Sequence, residues 1–262
     1  MKLPSLFLSH GAPDLILHDL PIRDFLAGLG ATLPRPRAVL VASAHYTASI
    51  AGVTAAGAPR TIHDFGGFDP SLYTMQYAAP GDPALAARIV ALLEAARIPA
   101  RLDEQWGFDH GAWIPLSLVY PTADLPVLEL AVNPHAGAEY HLALGRALAP
   151  LRDEGVLVIG SGAMTHNLYE IAPPAGNDRA PPWVHAFADW VGLRLEAGDE
   201  AGLRDWLAGA PHARDNHPST EHFLPLFVAL GAAGASWQAA RLHASVNYRA
   251  LRMDAWRFDA AA

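Results

Sequence analysis

Short apolar runs bounded by turn residues alternate along the chain with longer stretches in which apolar positions recur every three or four residues. Ser5–Ser9, Ala38–Ser43, Val127–Val132 and Val156–Ile159 have the length and content of buried strands. Pro83–Arg97, Glu139–Leu151, Pro182–Leu195 and Glu221–Leu230 have helical spacing. The first of these opens on Asp82-Pro83, an N-cap followed by proline at the first helical position. Strands alternating with helices predict an α/β fold with a central, largely parallel or mixed sheet flanked by helices. Pro- and Gly-rich stretches at Ile62–Pro80, Pro173–Pro182 and Gly209–Ser219 read as long loops, and loops of that length in a compact domain usually carry function.

Composition narrows this picture. A chain of 262 residues without a linker-like stretch predicts one domain over 1–262, and 52% hydrophobic against 17% charged residues supports a sizeable core. The formal charge of -8, with Lys2 the only lysine, leaves no basic stripe to neutralise a nucleic-acid backbone, so no nucleic-acid partner is expected. No apolar stretch approaches the roughly 20 residues that cross a bilayer, and His10 breaks the first apolar run too early for a signal-peptide core. A cytoplasmic protein with no membrane partner is expected, with no signal of oligomeric state. Cysteine is absent, so any metal must be held by His, Asp or Glu.

Thirteen histidines stand out in an acidic chain. His10 ends the run Leu6-Phe7-Leu8-Ser9, His45 ends Val39–Ala44, and His166 follows Val156–Ile159 and the turn Gly160-Ser161-Gly162. Ligands bind outside the carboxyl ends of parallel strands, so three histidines just beyond three strands can converge in one crevice. His222 follows Asn216–Thr220 and opens the last helix, with Thr220 as its N-cap. His110 lies in Trp106-Gly107-Phe108-Asp109-His110-Gly111, where glycines permit a sharp turn and aromatics offer an apolar wall. An imidazole there suits acid–base work near neutral pH. Gly160-Ser161-Gly162 lacks the further glycines and lysine of a phosphate loop and the context of a nucleophile elbow.

Six separated motifs carry a family resemblance: Leu8–Pro13, Ser43-Ala44-His45-Tyr46, Thr61–Phe68, Trp106–Gly111, Thr165-His166-Asn167-Leu168 and Pro218–Leu226. In that order, from about residue 5 to residue 230, they resemble the 4,5-DOPA extradiol dioxygenases of the class III extradiol ring-cleavage superfamily. The resemblance implies that His10, His45 and His222 bind a divalent metal, with His166 a fourth ligand or a nearby base and His110 the acid–base histidine. Many superfamily members hold non-heme Fe(II) with two histidines and a carboxylate. Here the matching segment offers both Glu221 and His222; the histidine is favoured and Glu221 is the fallback. The implied reaction opens a catechol-type, DOPA-like ring with O2 on Fe(II), and Zn(II) can occupy such a site after isolation.

The resemblance also puts His63 near the pocket; Tyr46, Phe65, Phe68, Trp106 and Phe108 are candidate walls, with ordinary core positions as the alternative for each. His217 stands as a mouth or loop residue, and His18, His135, His141, His185, His212 and His243 read as surface positions. Two other readings stay open: a zinc hydrolase, since neutral imidazoles also suit Zn(II), and a Memo-like binding protein on the same fold.

Overall fold

Leu6 and Leu8 face one side of the first strand and Phe7 faces the other, and all three are buried. The same two-sided burial recurs in neighbouring strands: Val39 and Val41 point to one layer, Leu40 and Ala42 to the opposite one. Continuous apolar runs of this kind belong to parallel strands covered on both faces by helices. The computed structural model, which describes residues 2–172 and 180–261, bears this out. Residues 173–179 of the expected Pro173–Pro182 loop lie outside the described residues.

The strands are β1 (Ser5–Ser9), β2 (Ala38–Thr47), β3 (Ala51–Thr54), β4 (Ala100–Asp103), β5 (Val127–Val132), β6 (Val156–Gly162), β7 (Trp237–His243), β8 (Val246–Asn247), β9 (Leu251–Arg252) and β10 (Ala255–Ala260). Eight form a mixed sheet in the order β4-β3-β5-β2-β6-β1-β10-β7, and β8 pairs with β9. The centre, β5-β2-β6-β1, is parallel, while β10 runs antiparallel to β1 and β3 antiparallel to β5. Helices Pro21–Thr32 and His110–Val119 cover one face. Helices Pro83–Ala95, Ala138–Leu148, Pro182–Ala197 and Leu224–Ala233 cover the other. Among the described residues no helix is long and apolar enough to cross a membrane.

Several boundaries differ from the sequence reading for identifiable reasons. The expected Glu139–Leu151 helix stops at Leu148 and a separate turn spans Pro150–Asp153, because Pro150 has no N–H to continue the ladder. The last helix begins at Leu224 instead of Glu221, so His222 sits in the preceding turn and does not open the helix. Thr220 is not its cap: its hydroxyl donates to the Pro134 carbonyl. Helix His110–Val119 escaped the periodicity because nearly every residue in it is buried, which erases the polar stripe.

Candidate functional site

The carboxyl ends of the parallel strands deliver the first two histidines. His10 directly follows β1, and its N–H extends the β1–β6 ladder by donating to the Gly162 carbonyl at 3.0 Å. His45 lies near the end of β2, within an irregularity between Ser43 and Thr47. The third arrives from the turn before Leu224. That turn lies directly on β6: a Cβ at Gly160 would sit 2.0 Å from the Pro225 carbonyl oxygen, and one at Gly162 would sit 2.1 Å from that of His222. Both positions therefore require glycine, and Ala163 N–H donates to the His222 carbonyl at 2.8 Å. Gly160-Ser161-Gly162 is thus the seat on which His222 rests.

The three imidazoles meet edge to edge. His45 Nε2 lies 3.0 Å from His10 Nε2 and 3.3 Å from His222 Nε2. Their tautomers are set by the groups behind them. The Ser161 hydroxyl donates its one proton to the Gly111 carbonyl at 2.5 Å, so toward His10 Nδ1, 3.0 Å away, it can only accept. His10 then carries its proton on Nδ1 and turns an Nε2 lone pair inward. His222 Nδ1 faces the Glu221 carboxylate at 3.0 Å with the same result. Burial, reinforced by the neighbouring histidines, pushes His10 and His222 well below the ordinary range, and burial lowers His45 to about 3, so all three are neutral ligand-type imidazoles at pH 7.

These residues fit a divalent cation. With metal–nitrogen bonds of about 2.0–2.1 Å, neighbouring ligands stand roughly 2.9–3.4 Å apart, which brackets both observed separations. Acceptors behind the ligating rings are the usual support for metal-binding histidines.

Two further histidines flank the trio. His110 begins its helix beside His45, their ring centroids 3.8 Å apart. Its approach is held by a buried network: Glu129 accepts from Asp109 N–H at 2.9 Å and from Trp106 Nε1–H at 3.2 Å, while Asp109 accepts from the Ser43 hydroxyl at 2.7 Å. Burial pushes both carboxyls up, so this pair is not two free charges. Asp64 reaches in from the loop after β3. It accepts the His110 backbone N–H at 2.9 Å and lies 3.0 Å from His110 Nδ1 and 3.6 Å from His45 Nδ1. Burial acts to raise the Asp64 carboxyl, but the His110 backbone N–H and the adjacent His110 and His45 rings outweigh it and hold the carboxyl below the usual range. His166 stacks on His222, and burial lowers it to about 4.

The five histidines floor a cavity of about 390 Å³, a size that suits a small ligand. Phe65, Phe68, Leu168, Ile171, Tyr248 and Met253 are among its walls. Of the other expected wall residues, Phe108 is in the core, and Tyr46 stacks on Trp106 away from the cavity. His63 ties its loop down by donating to the Met75 carbonyl, outside the cavity lining. His217 does not reach the mouth; it is buried among Phe187, Trp206 and Phe223 and donates to the Met164 carbonyl. His141 is not a surface residue: it is fully buried, accepting from Asn133 N–H and donating to the Gly137 carbonyl. Asp64 and Ser161, which sequence reasoning did not select, lie in the Thr61–Phe68 motif and in the Gly160-Ser161-Gly162 turn.

Residues 21–255 match the family model described as the catalytic LigB subunit of aromatic ring-opening dioxygenase. The chain belongs to this LigB family. Among curated relatives it is similar to a 4,5-DOPA dioxygenase extradiol of Beta vulgaris, 40% identical over 96% of this chain and 95% of the relative. It is likewise similar to one of Escherichia coli K12, 43% identical over 88% of this chain and 85% of that protein. A solved structure of an uncharacterized Escherichia coli K12 protein superposes with a TM-score of 0.81 at 35% identity, covering 98% of this LigB-family chain and 99% of the other.

Proposed function

We propose that this LigB-family enzyme cleaves a catechol-type, DOPA-like ring extradiol to its two hydroxyls, with His10, His45 and His222 holding a divalent metal through Nε2. The observation that carries the reading is the inward convergence of three neutral imidazoles, two of them with their Nδ1 protons committed to acceptors behind them. A divalent metal held by only three protein ligands would supply a Lewis-acid centre with positions left for both catechol oxygens and O2. Fe(II) is the metal proposed for the active enzyme, and the same nitrogens accept Zn(II). A cytoplasmic site of action belongs to this proposal.

The chain's own residues supply positioning and proton transfer. His166, neutral at pH 7 and lining the cavity beside His222, is the proposed base for a catechol hydroxyl. His110, lining the cavity beside His45, is the proposed acid that delivers a proton as the ring opens. Phe65 and Phe68, which line the cavity, are the proposed apolar walls beside the ring.

The test is anaerobic Fe(II) reconstitution followed by oxygen uptake across a catechol series that includes DOPA. Stoichiometric uptake with a yellow ring-opened product is expected. His10→Ala and His45→Ala lose bound metal, while His110→Ala keeps metal and loses turnover. Ester or amide hydrolysis without oxygen uptake would overturn the reading in favour of a zinc hydrolase.

A further inference from the structure

We infer that Asp64 is a positioning residue that sets the proton-transfer histidine and a metal ligand together, an inference that rests on the roles proposed above for His110 and His45. Its carboxylate faces the Nδ1 edge of both rings from the wall of the cavity that all three residues line. Oδ1 accepts the His110 backbone N–H at 2.9 Å and stands 3.0 Å from His110 Nδ1, while Oδ2 stands 3.6 Å from His45 Nδ1. The side chain is 19% accessible although the residue as a whole is exposed, so it is mainly the backbone of Asp64 that meets water.

The loop that carries the carboxylate is anchored by backbone bonds. Ile62 N–H donates to the Phe108 carbonyl at 2.7 Å and Phe108 N–H to the Arg60 carbonyl at 2.8 Å, which lays the Asp64 loop along the segment leading to His110. Trp113 Nε1–H donates to the Ile62 carbonyl at 3.1 Å from inside the same helix that His110 begins. A negative group at the first amide of this ten-residue helix also complements its positive end.

The two nitrogens of an imidazole point away from each other, so a ring whose Nδ1 is drawn toward Asp64 presents Nε2 on its far side. For His45 that far side holds His10 and His222; for His110 it is the cavity that the ring lines. One carboxylate therefore aims a ligand at the metal position and a proton carrier at the substrate position, and ties their relative orientation.

Asp64→Asn is the decisive variant, because its amide oxygen still accepts the His110 N–H and keeps the helix capped while the anionic face toward both Nδ1 atoms is lost. The expected result is a fall in kcat of about 10–100-fold with KM little changed, together with Co(II) binding weakened about 10-fold or more, as for other groups that orient ligands from behind. In a double-mutant cycle at saturating metal, Asp64→Asn adds less to the kcat loss of His110→Ala than it costs alone, because its action on His110 is already gone, while the weaker Co(II) binding persists. Asp64→Glu recovers part of the loss. Wild-type kcat and Co(II) affinity in Asp64→Asn overturn the inference, as do kcat losses that simply multiply in the double variant. If the wild type shows no oxygen uptake with any catechol, the ring-opening reading fails. The Co(II) titration and the shift of its absorption bands then still decide whether Asp64 orients His45.

Discussion

The imidazoles of His166 and His222 lie face to face, their centroids 3.4 Å apart and their planes 8° from parallel. A ligating imidazole places its metal in the plane of the ring, along the nitrogen lone pair. Two parallel planes that far apart share no such point, so one ion cannot lie in the plane of both rings. On this ground we propose His166 as a base and not a fourth ligand, although a nitrogen of His166 also lies within 4.8 Å of ligand atoms of Glu221 and His222. His166→Ala is therefore expected to retain full metal stoichiometry by elemental analysis while kcat falls by about 10²–10⁴-fold, the range for removing a general base. Loss of the metal from this variant would restore the four-ligand view.

The third ligand can be settled by a pair of variants. Glu221 stands behind His222 at its Nδ1, on the side away from His45. Glu221→Gln keeps an oxygen acceptor there, so metal binding should weaken no more than about 10-fold. His222→Ala removes an inward-facing nitrogen and should empty the site. The opposite pattern, metal lost from Glu221→Gln and kept by His222→Ala, would mean that the carboxylate swings in as the ligand.

Ser161 fixes the His10 tautomer by donating to Gly111 and accepting from Nδ1. Ser161→Ala strands a buried ring N–H, at a cost of about 1–3 kcal/mol. It also frees His10 to carry its proton on the metal-facing nitrogen. Metal affinity should drop by about 10–100-fold, read by competition with a chelating dye. An unchanged affinity would show that the rings orient without this hydroxyl.

How much of the site was legible in the sequence depends on how local each cause is. His10 and His45 stand out because a polar residue ends an apolar strand, and the parallel centre of the sheet brings such ends together. Ser5–Ser9 and Val127–Val132 match their strands residue for residue. β10, inserted antiparallel beside β1, gave no comparable signal, because its partly exposed end interrupts the apolar run. Asp64 and Ser161 lie inside segments that stand out in the sequence, but their own roles were not legible there because the partners that give them those roles are 46 and 151 residues away. His141 and His217 were misplaced because a buried histidine that hydrogen-bonds to a backbone carbonyl looks, in sequence, like a loop or surface one.

His141 also makes a prediction for pH. Burial lowers it to about 4, from the ordinary 6.5 that it recovers on unfolding. Above 6.5 both states are neutral and its contribution to stability is complete. Between 6.5 and about 4 the unfolded chain takes up a proton that the folded chain refuses, so stability falls as pH falls, by up to about 1.4 kcal/mol per pH unit. Below about 4 the folded state protonates too and the slope fades. Urea unfolding of the metal-free protein from pH 7 to 4 should show a shallower decline for His141→Gln than for the parent. Identical slopes would mean that His141 does not resist protonation in the fold.

The cavity wall makes the last prediction. Leu168 and Ile171 are 56% and 43% exposed yet line the cavity, which leaves apolar surface at its mouth for a substituent to cover. The ring bound at the histidine floor would point a para substituent outward past them. Truncating Leu168 to Ala removes about 40 Å² of apolar contact, about 1 kcal/mol, or about fivefold in binding. Leu168→Ala should therefore raise KM about fivefold for a 4-alkylcatechol and leave that for unsubstituted catechol nearly unchanged, with kcat preserved for both. An equal rise for both substrates would mean that Leu168 shapes the floor instead of contacting the substituent. No change for either would mean that the substituent leaves by another side of the cavity.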